Sequence, residues 1–319
     1  MFTIAAFVDA LTLEEVATDR YRANSLSATH GVVFGGQLLA QSVMAGLAGQ
    51  EGKSVKTIHT VFARGANPEA PLEIAVERMH SGRSVASSTV TISQGDTLVT
   101  RSLVLLSADE PDVIRHADTP RSMTSPEEAA GAVRGEGVWE ILIVDDIDIS
   151  DPELVGPPEL DAWVRFLDAP DDPATDQALV AYSTDGFLIG TAMRPHAGVG
   201  QAQAHVTLST GVLSHTLTYH ERCPAAEWHL LQQRSSFAGN GRSYGQGDIF
   251  RRDGQLAASF VQDAMIRARS GKAGALGWRG LSLRAARPAA GTTSRPCSAW
   301  RAGRRSLRVR GGTRAAARR

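Results

Sequence analysis

Two stretches of this chain follow one pattern. Residues 59–107 read HTVFARGANPEAPLEIAVERMHSGRSVASSTVTISQGDTLVTRSLVLLS, and residues 215–266 read HTLTYHERCPAAEWHLLQQRSSFAGNGRSYGQGDIFRRDGQLAASFVQDAMI. His59-Thr60 aligns with His215-Thr216, Gly82-Arg83-Ser84 with Gly241-Arg242-Ser243, and Asp96 with Asp253. Each copy holds an apolar strand pattern, a turn containing proline, and three alternating runs separated by polar or glycine turns. The offset of about 157 residues is too long for a solenoid repeat and suits a duplicated domain.

Upstream of each copy lies a helical segment entered through glycine: HGVVFGGQLLAQSVMAGLAG (residues 30–49) and TDQALVAYSTDGFLIGTAMR (residues 175–194). Small residues at Gly35, Gly36 and Ala40, or at Gly190 and Ala192, let such a helix lie close against a sheet. Each half therefore reads as a central helix followed by a long antiparallel sheet, an α+β layer architecture. DRYRAN (residues 19–24) opens the first half; WEILIVDDIDI and ELDAWVRFLD (residues 139–149 and 159–168) open the second. The expected boundaries are a first repeat over 1–108, a polar linker over 109–137, a second repeat over 138–267 and a tail over 268–319.

Composition matters most in that tail. The net charge of −1 hides a strong asymmetry. Residues 268–319 carry 13 Arg, Lys272 and no acidic residue, which leaves 19 of the 33 basic residues against all 34 acidic ones in the body. A basic arm for nucleic acid is the functional reading of such a tail. The reading preferred here is a disordered extension without function, and the abrupt change of composition also suits read-through or a shifted reading frame. No nucleic-acid partner is expected. Two cysteines, Cys223 and Cys297, make neither a disulfide framework nor a zinc site, and no His-Glu-x-x-His motif occurs, so no metal is expected. The start, MFTIAAFVDALTLEE, has no signal-peptide character, and no apolar run reaches membrane-span length, which predicts a soluble cytoplasmic protein.

Gly241-Arg242-Ser243-Tyr244-Gly245 spells G-x-S-x-G, the mark of a hydrolase nucleophile elbow. That elbow needs a strand-to-helix turn, whereas Ser243 lies among alternating residues with no helical period after it. The same place in the first half reads Gly82-Arg83-Ser84-Val85-Ala86. A repeated hairpin explains the motif better than a nucleophile does.

VFGGQLLAQSV (residues 33–43), YSTDGFLIGTAM (residues 182–193) and DGQLAASFVQDAMIR (residues 253–267) resemble the acyl-CoA thioesterase II (TesB-like) family, from about residue 11 to 267. The resemblance implies a double hotdog fold and hydrolysis of acyl-CoA by a water held by an Asp, a Ser or Thr, and a Gln. It places the Asp on Asp185 and the Gln on Gln262. The hydroxyl, three positions before a strand histidine, falls on Val212 in TGVLSHTLTYH. Alternation puts Thr210, Val212 and Ser214 on one face, so Ser214, ahead of Thr210, is the expected substitute.

A thioester asks little of an enzyme beyond a positioned, partly deprotonated water and a donor for the developing oxyanion. Asp185 at a helix start would act as general base, Gln262 would hold the water, and the two would lie within hydrogen-bonding reach. Backbone N–H groups at Gly31, Gly35 and Gly36, or at Gly186, would serve the oxyanion. His30 would contact substrate or satisfy the helix entry. Aligning the repeats sets Leu105 opposite Gln262 and His30 opposite Asp185, so only the second half holds the acid and the amide. No cofactor is expected; acyl-CoA is the expected partner, with homo-oligomerisation through exposed sheet edges. The alternatives are an enoyl-thioester hydratase or dehydratase, and a non-catalytic acyl-CoA-binding protein.

Overall fold

The computed structural model describes residues 3–26, 31–129, 131 and 133–269. His30 and residues 270–319, which hold nearly all of the basic tail, lie outside the described residues.

The first glycine-entered segment forms helix α2 (Gly35–Leu47), which is buried on almost every side. Its amides Gln37 and Gln41 are also buried, and bonding to main chain makes this tolerable. Gln37 Oε1 accepts from Leu26 N–H at 3.0 Å, and Gln41 Nε2 donates to the carbonyls of Ala10 (2.8 Å) and Asn24 (2.9 Å). The two side chains thus tie α1 (Ile4–Leu11) and the chain leaving β2 (Arg20–Ala23) to the central helix.

The second segment does not form one helix. It divides into α3 (Pro173–Thr184) and α4 (Leu188–Met193), with Asp185, Gly186 and Phe187 between them. Asp172 caps α3 by accepting from Thr175 N–H at 2.8 Å, and Pro173 supplies a preset first turn. Helix α3 packs along α2, not against the sheet alone, and Gly36 permits the approach. A Cβ at Gly36 would lie 2.3 Å from the Tyr182 carbonyl oxygen.

Among the described residues, thirteen antiparallel strands form one sheet around these helices. The first half supplies β1 (Glu14–Ala17), β2, β3 (Ser54–Phe62), β4 (Leu72–Ser81), β5 (Val85–Gln94) and β6 (Thr97–Ser107). After β7 (Arg134–Glu136), the second half supplies β8 (Trp139–Ile143), β9 (Glu159–Phe166), β10 (Leu208–Tyr219), β11 (His229–Gly239), β12 (Arg242–Arg251) and β13 (Leu256–Ala268). The order is β1-β2-β4-β5-β6-β3-β10-β13-β12-β11-β9-β8-β7. Read outward from the β3–β10 junction, the two sides mirror each other. This is the double hotdog, α+β, with the repeat realised as a two-fold.

The repeat alignment slips by one residue at the junction. His215 pairs with Thr60 and Thr216 with His59. Buried His215 therefore points inward, whereas His59 points out and meets Thr216 Oγ1 at 2.7 Å. Likewise Leu105 is 40% exposed on the outer face, whereas Gln262 is buried. A shift of one residue turns a strand side chain to the other face, so neither His59 nor Leu105 is the spatial counterpart of its aligned partner. The inner row runs instead Gln262, His215, Thr60, Ser102.

The segment expected as a tether packs against the body. Arg121 N–H donates to Gln232 Oε1, Gln232 Nε2 donates to the Ser122 carbonyl, and Trp163 Nε1 donates to the Thr124 carbonyl. Beneath lies a separate apolar cluster of Leu142, Trp163, Trp228, Leu230 and Phe250 on the outer face of the second half. The strand-like run after Trp139 ends at Ile143 in a 3-10 turn where Asp145 has φ 61°. Among the described residues, no helix is long and apolar enough to cross a membrane.

Candidate active site

Asp185 is the residue immediately after α3, at its C-terminal end (φ −85°, ψ −3°), and not at a helix start of its own segment. Its carboxylate faces the start of α2 from the other half. The Gly36 N–H donates to it, and a Cβ on Gly35 would lie 2.6 Å from Oδ2. Phe34, the residue before α2, offers no side-chain cap, so Asp185 supplies across the two-fold the acceptor that a helix N-terminus lacks. The second carboxylate oxygen, Oδ1, is out of contact with solvent and has no hydrogen-bond partner. Burial pushes the Asp185 carboxyl up to about 7, opposed only by the Gly36 N–H.

Gln262 lies on β13 opposite His215 on β10, both facing inward. Gln262 Oε1 stands 3.3 Å from His215 Nδ1, and His215 Nε2 stands 3.0 Å from Thr184 Oγ1, the hydroxyl just before Asp185. Burial pushes the His215 imidazole down to about 4, against the pull of its bond to Gln262, so the ring is neutral near pH 7. Gln262 Nε2 is buried and without a partner. The acid and the amide make no direct hydrogen bond, in contrast to the expectation that they lie within reach of each other. His215 joins Gln262 to Thr184, the chain neighbour of Asp185, and Asp185 Oδ1 and Gln262 Nε2 each stay unpartnered. Buried polar atoms are nearly always satisfied, because leaving one unpaired costs ~1–3 kcal/mol. Asp185 Oδ1 and Gln262 Nε2 are two of several such atoms among the described residues, and these two lie on either side of Thr184 and His215.

The hydroxyl candidates are rearranged by a bulge. Val212 pairs with Ala264 and Ser214 with Asp263, which leaves Leu213 as an extra residue. Alternation breaks there. Thr210 and Val212 share the inner face with His215, and Ser214 turns outward, where Oγ donates to Asp263 Oδ2 at 3.1 Å. Ser214 is thus removed from the inner face, Thr210 remains on it and is 8% exposed, and the inner position next to His215 is a valine. His215 and Thr184 were not singled out in the sequence. The histidine was legible as part of the strand motif, but its direction depends on a bulge that periodicity does not reveal.

Gly186 lies in the break between α3 and α4, beneath Trp139; a Cβ there would be 3.3 Å from the indole ring. Trp139 stacks on Phe166 and meets Phe34, Tyr182 and Phe187, so an apolar aromatic wall stands beside Asp185. Ser243 occupies the second position of β12, after a two-residue turn of Asn240 and Gly241 with φ of 53° and 72°. Positive φ at both positions is the hairpin geometry that Asn-Gly favours, so the G-x-S-x-G is an antiparallel hairpin and not an elbow. Ser243→Ala is expected to keep kcat within about twofold, and loss of turnover in a folded Ser243→Ala protein would reopen the nucleophile reading. Among the described residues, no three His, Cys, Asp or Glu side chains converge to hold a metal. A groove lined by Thr216, Thr218, Gln246, Asp248 and Ser259 lies on the outer side of the sheet, away from Gln262.

Two fused hotdog repeats with a buried carboxylate and amide at their junction are the frame in which the comparisons place a thioester hydrolase. Family models described as acyl-CoA thioesterase N-terminal domain and C-terminal domain match residues 24–107 and 116–266. The chain belongs to the acyl-CoA thioesterase family, in its TesB-like, thioesterase II form. Among its relatives are acyl-coenzyme A thioesterase 8 of Mus musculus, 25% identical over 81% of this chain and 87% of that one, and acyl-CoA thioesterase 2 of Haemophilus influenzae, 24% identical over 82% and 96%. The crystal structure of acyl-CoA thioesterase II TesB2 from Mycobacterium marinum is 26% identical with a TM-score of 0.68, covering 83% of this chain and 98% of its own. The tesB protein of Mycobacterium avium subs paratuberculosis, at 22% identity and a TM-score of 0.71 over 83% of this chain and 100% of its own, shares the fold.

Proposed function

We propose that the protein hydrolyses acyl-CoA to a carboxylic acid and coenzyme A by direct attack of water, with Asp185 as general base and Gln262 as the second holding group. The observation that carries this reading is the pair of unpartnered buried atoms, Asp185 Oδ1 and Gln262 Nε2, on either side of Thr184 and His215. Water gives a proton to Asp185 as its oxygen attacks the thioester carbonyl carbon. The tetrahedral oxyanion then collapses, the C–S bond breaks, and the thiolate leaves and takes the proton. A carboxylate held at about 7 is well matched to that transfer, because a base works best when its pKa lies near the operating pH. Incubation with acyl-CoAs of several chain lengths, followed by free-thiol release, tests the reading. Binding without thiol release at every length would overturn it.

Val212 is the weak element of this site. It stands on the inner face next to His215, where a hydroxyl would reach the same space as Gln262, and threonine has nearly the same shape. Val212→Thr is expected to raise kcat roughly tenfold, about one hydrogen bond to the reacting water. An unchanged or lower kcat in a folded variant would show that Thr210 or no hydroxyl serves this position. We also infer a cytoplasmic homo-oligomer, since β1 and β7 each leave one edge unpaired among the described residues. Sedimentation at the monomer mass would remove the second part of that inference.

A further inference from the structure

We propose that His215 is a positioning residue that holds Gln262 by its carbonyl oxygen and so turns the amide N–H2 toward the reacting thioester. The inference rests on the reading that Gln262 serves the reaction. His215 is 1% exposed and stacks on Phe260, with ring centroids 5.7 Å apart at 15°. Its ring plane is thereby fixed, and both of its nitrogens are aimed at polar partners.

Hydrogen-bond direction then orders the chain of groups. A neutral imidazole has a single N–H. Its Nδ1 faces Gln262 Oε1, an acceptor, so the hydrogen sits on Nδ1. Nε2 is left bare and must accept, and its partner at 3.0 Å is the Thr184 hydroxyl. That hydroxyl also donates to the Ala181 carbonyl at 2.7 Å, so its one hydrogen is shared between that oxygen and Nε2, a three-centre bond of the kind common at helix ends. Sharing that hydrogen gives both ring nitrogens and the Ala181 carbonyl a partner. With its carbonyl held in this way, Gln262 turns its unpartnered Nε2 to the site, which makes it a donor to the oxyanion or to the oxygen of the attacking water. Thr184 is adjacent to Asp185, so the base and the amide are set by one continuous chain of contacts. The first-half residues on this row, Thr60 and Ser102, bond to each other at 2.8 Å and on to Ser42 of α2 at 3.3 Å, which ends on the Leu38 carbonyl, so they do not compete for His215.

Three substitutions test this. In His215→Asn the amide nitrogen overlays Nδ1 and can still hold Gln262. In His215→Gln it overlays Nε2 and can reach only Thr184. His215→Leu removes both contacts and keeps the volume. We expect kcat to fall roughly 30- to 100-fold in the Leu and Gln variants, with KM within about twofold and Tm close to the parent, and the Asn variant to recover most of the loss. The 15N spectrum of the parent imidazole should show the proton on Nδ1. A folded His215→Leu protein with parental kcat, equal losses in the Asn and Gln variants, or a proton on Nε2 would each overturn the proposal. Gln262→Ala measured alongside separates the two levels. If it is inactive while His215→Leu is active, only the positioning role falls; if it is itself fully active, the site reading falls too.

Discussion

Asp185→Asn is expected to lower kcat by about 10²–10⁴-fold, the usual worth of a general base, while the protein stays folded. Parental kcat/KM should rise with pH and level off above about 7, where the carboxylate is ionised, and that limb should be missing from the residual activity of the variant. Stability should move the other way. The folded-state value is raised from 3.8 to about 7, so the contribution of this group to folding is full below pH 3.8 and is lost as pH climbs to about 7. At about 1.4 kcal/mol per unit, the loss amounts to a few kcal/mol. Asparagine has no charge to bury, so the variant should gain in Tm over the parent between pH 5 and 8 as it loses turnover. A variant that keeps its kcat, or keeps the pH limb, would show that Asp185 is only the cap of α2.

Gly36→Ala is expected to destabilise the fold strongly. The added Cβ would sit 2.3 Å from the Tyr182 carbonyl oxygen and 2.5 Å from the Phe34 ring. A side chain can rotate away, but a backbone carbonyl in α3 moves only if the two central helices separate. Overpacking usually costs ~1–3 kcal/mol, and a backbone clash falls at or beyond the upper end. Since the Gly36 N–H is also what Asp185 binds, activity should fall with stability. Gly35→Ala presses on Asp185 Oδ2 and Phe62 instead, and should lower kcat with a smaller change in Tm. Equal Tm values for the parent and Gly36→Ala would mean that α2 and α3 are less closely seated than described.

Several levels of this fold were legible in the residues. The repeat of His-Thr, Gly-Arg-Ser and Asp in two strand-rich segments carried the architecture, because duplication and alternation are both properties of local sequence. The hairpin at Asn240-Gly241 was legible for the same reason. What escaped was anything that depended on a count of one. The bulge at Leu213 sends Ser214 outward and brings Val212 and His215 to the same face, and no alternation rule registers an added residue. The slip at the β3–β10 junction, which sets His59 and His215 on opposite faces, is of the same kind. The break at Gly186 was hidden by apolar residues on both sides that fit one helical period. The packing of residues 121–124 was hidden because their contacts are main-chain atoms paired with side chains about a hundred positions away or less, Gln232 and Trp163.

One repeat holds the Asp185 carboxylate, and the other holds the helix end that it leans on. The acidity of this group is therefore a property shared between the two ancestral copies. If Asp185 is the base we propose, drift at Phe34, Gly35 or Gly36 would reset the pH dependence of the reaction without altering any residue of the copy that holds the carboxylate.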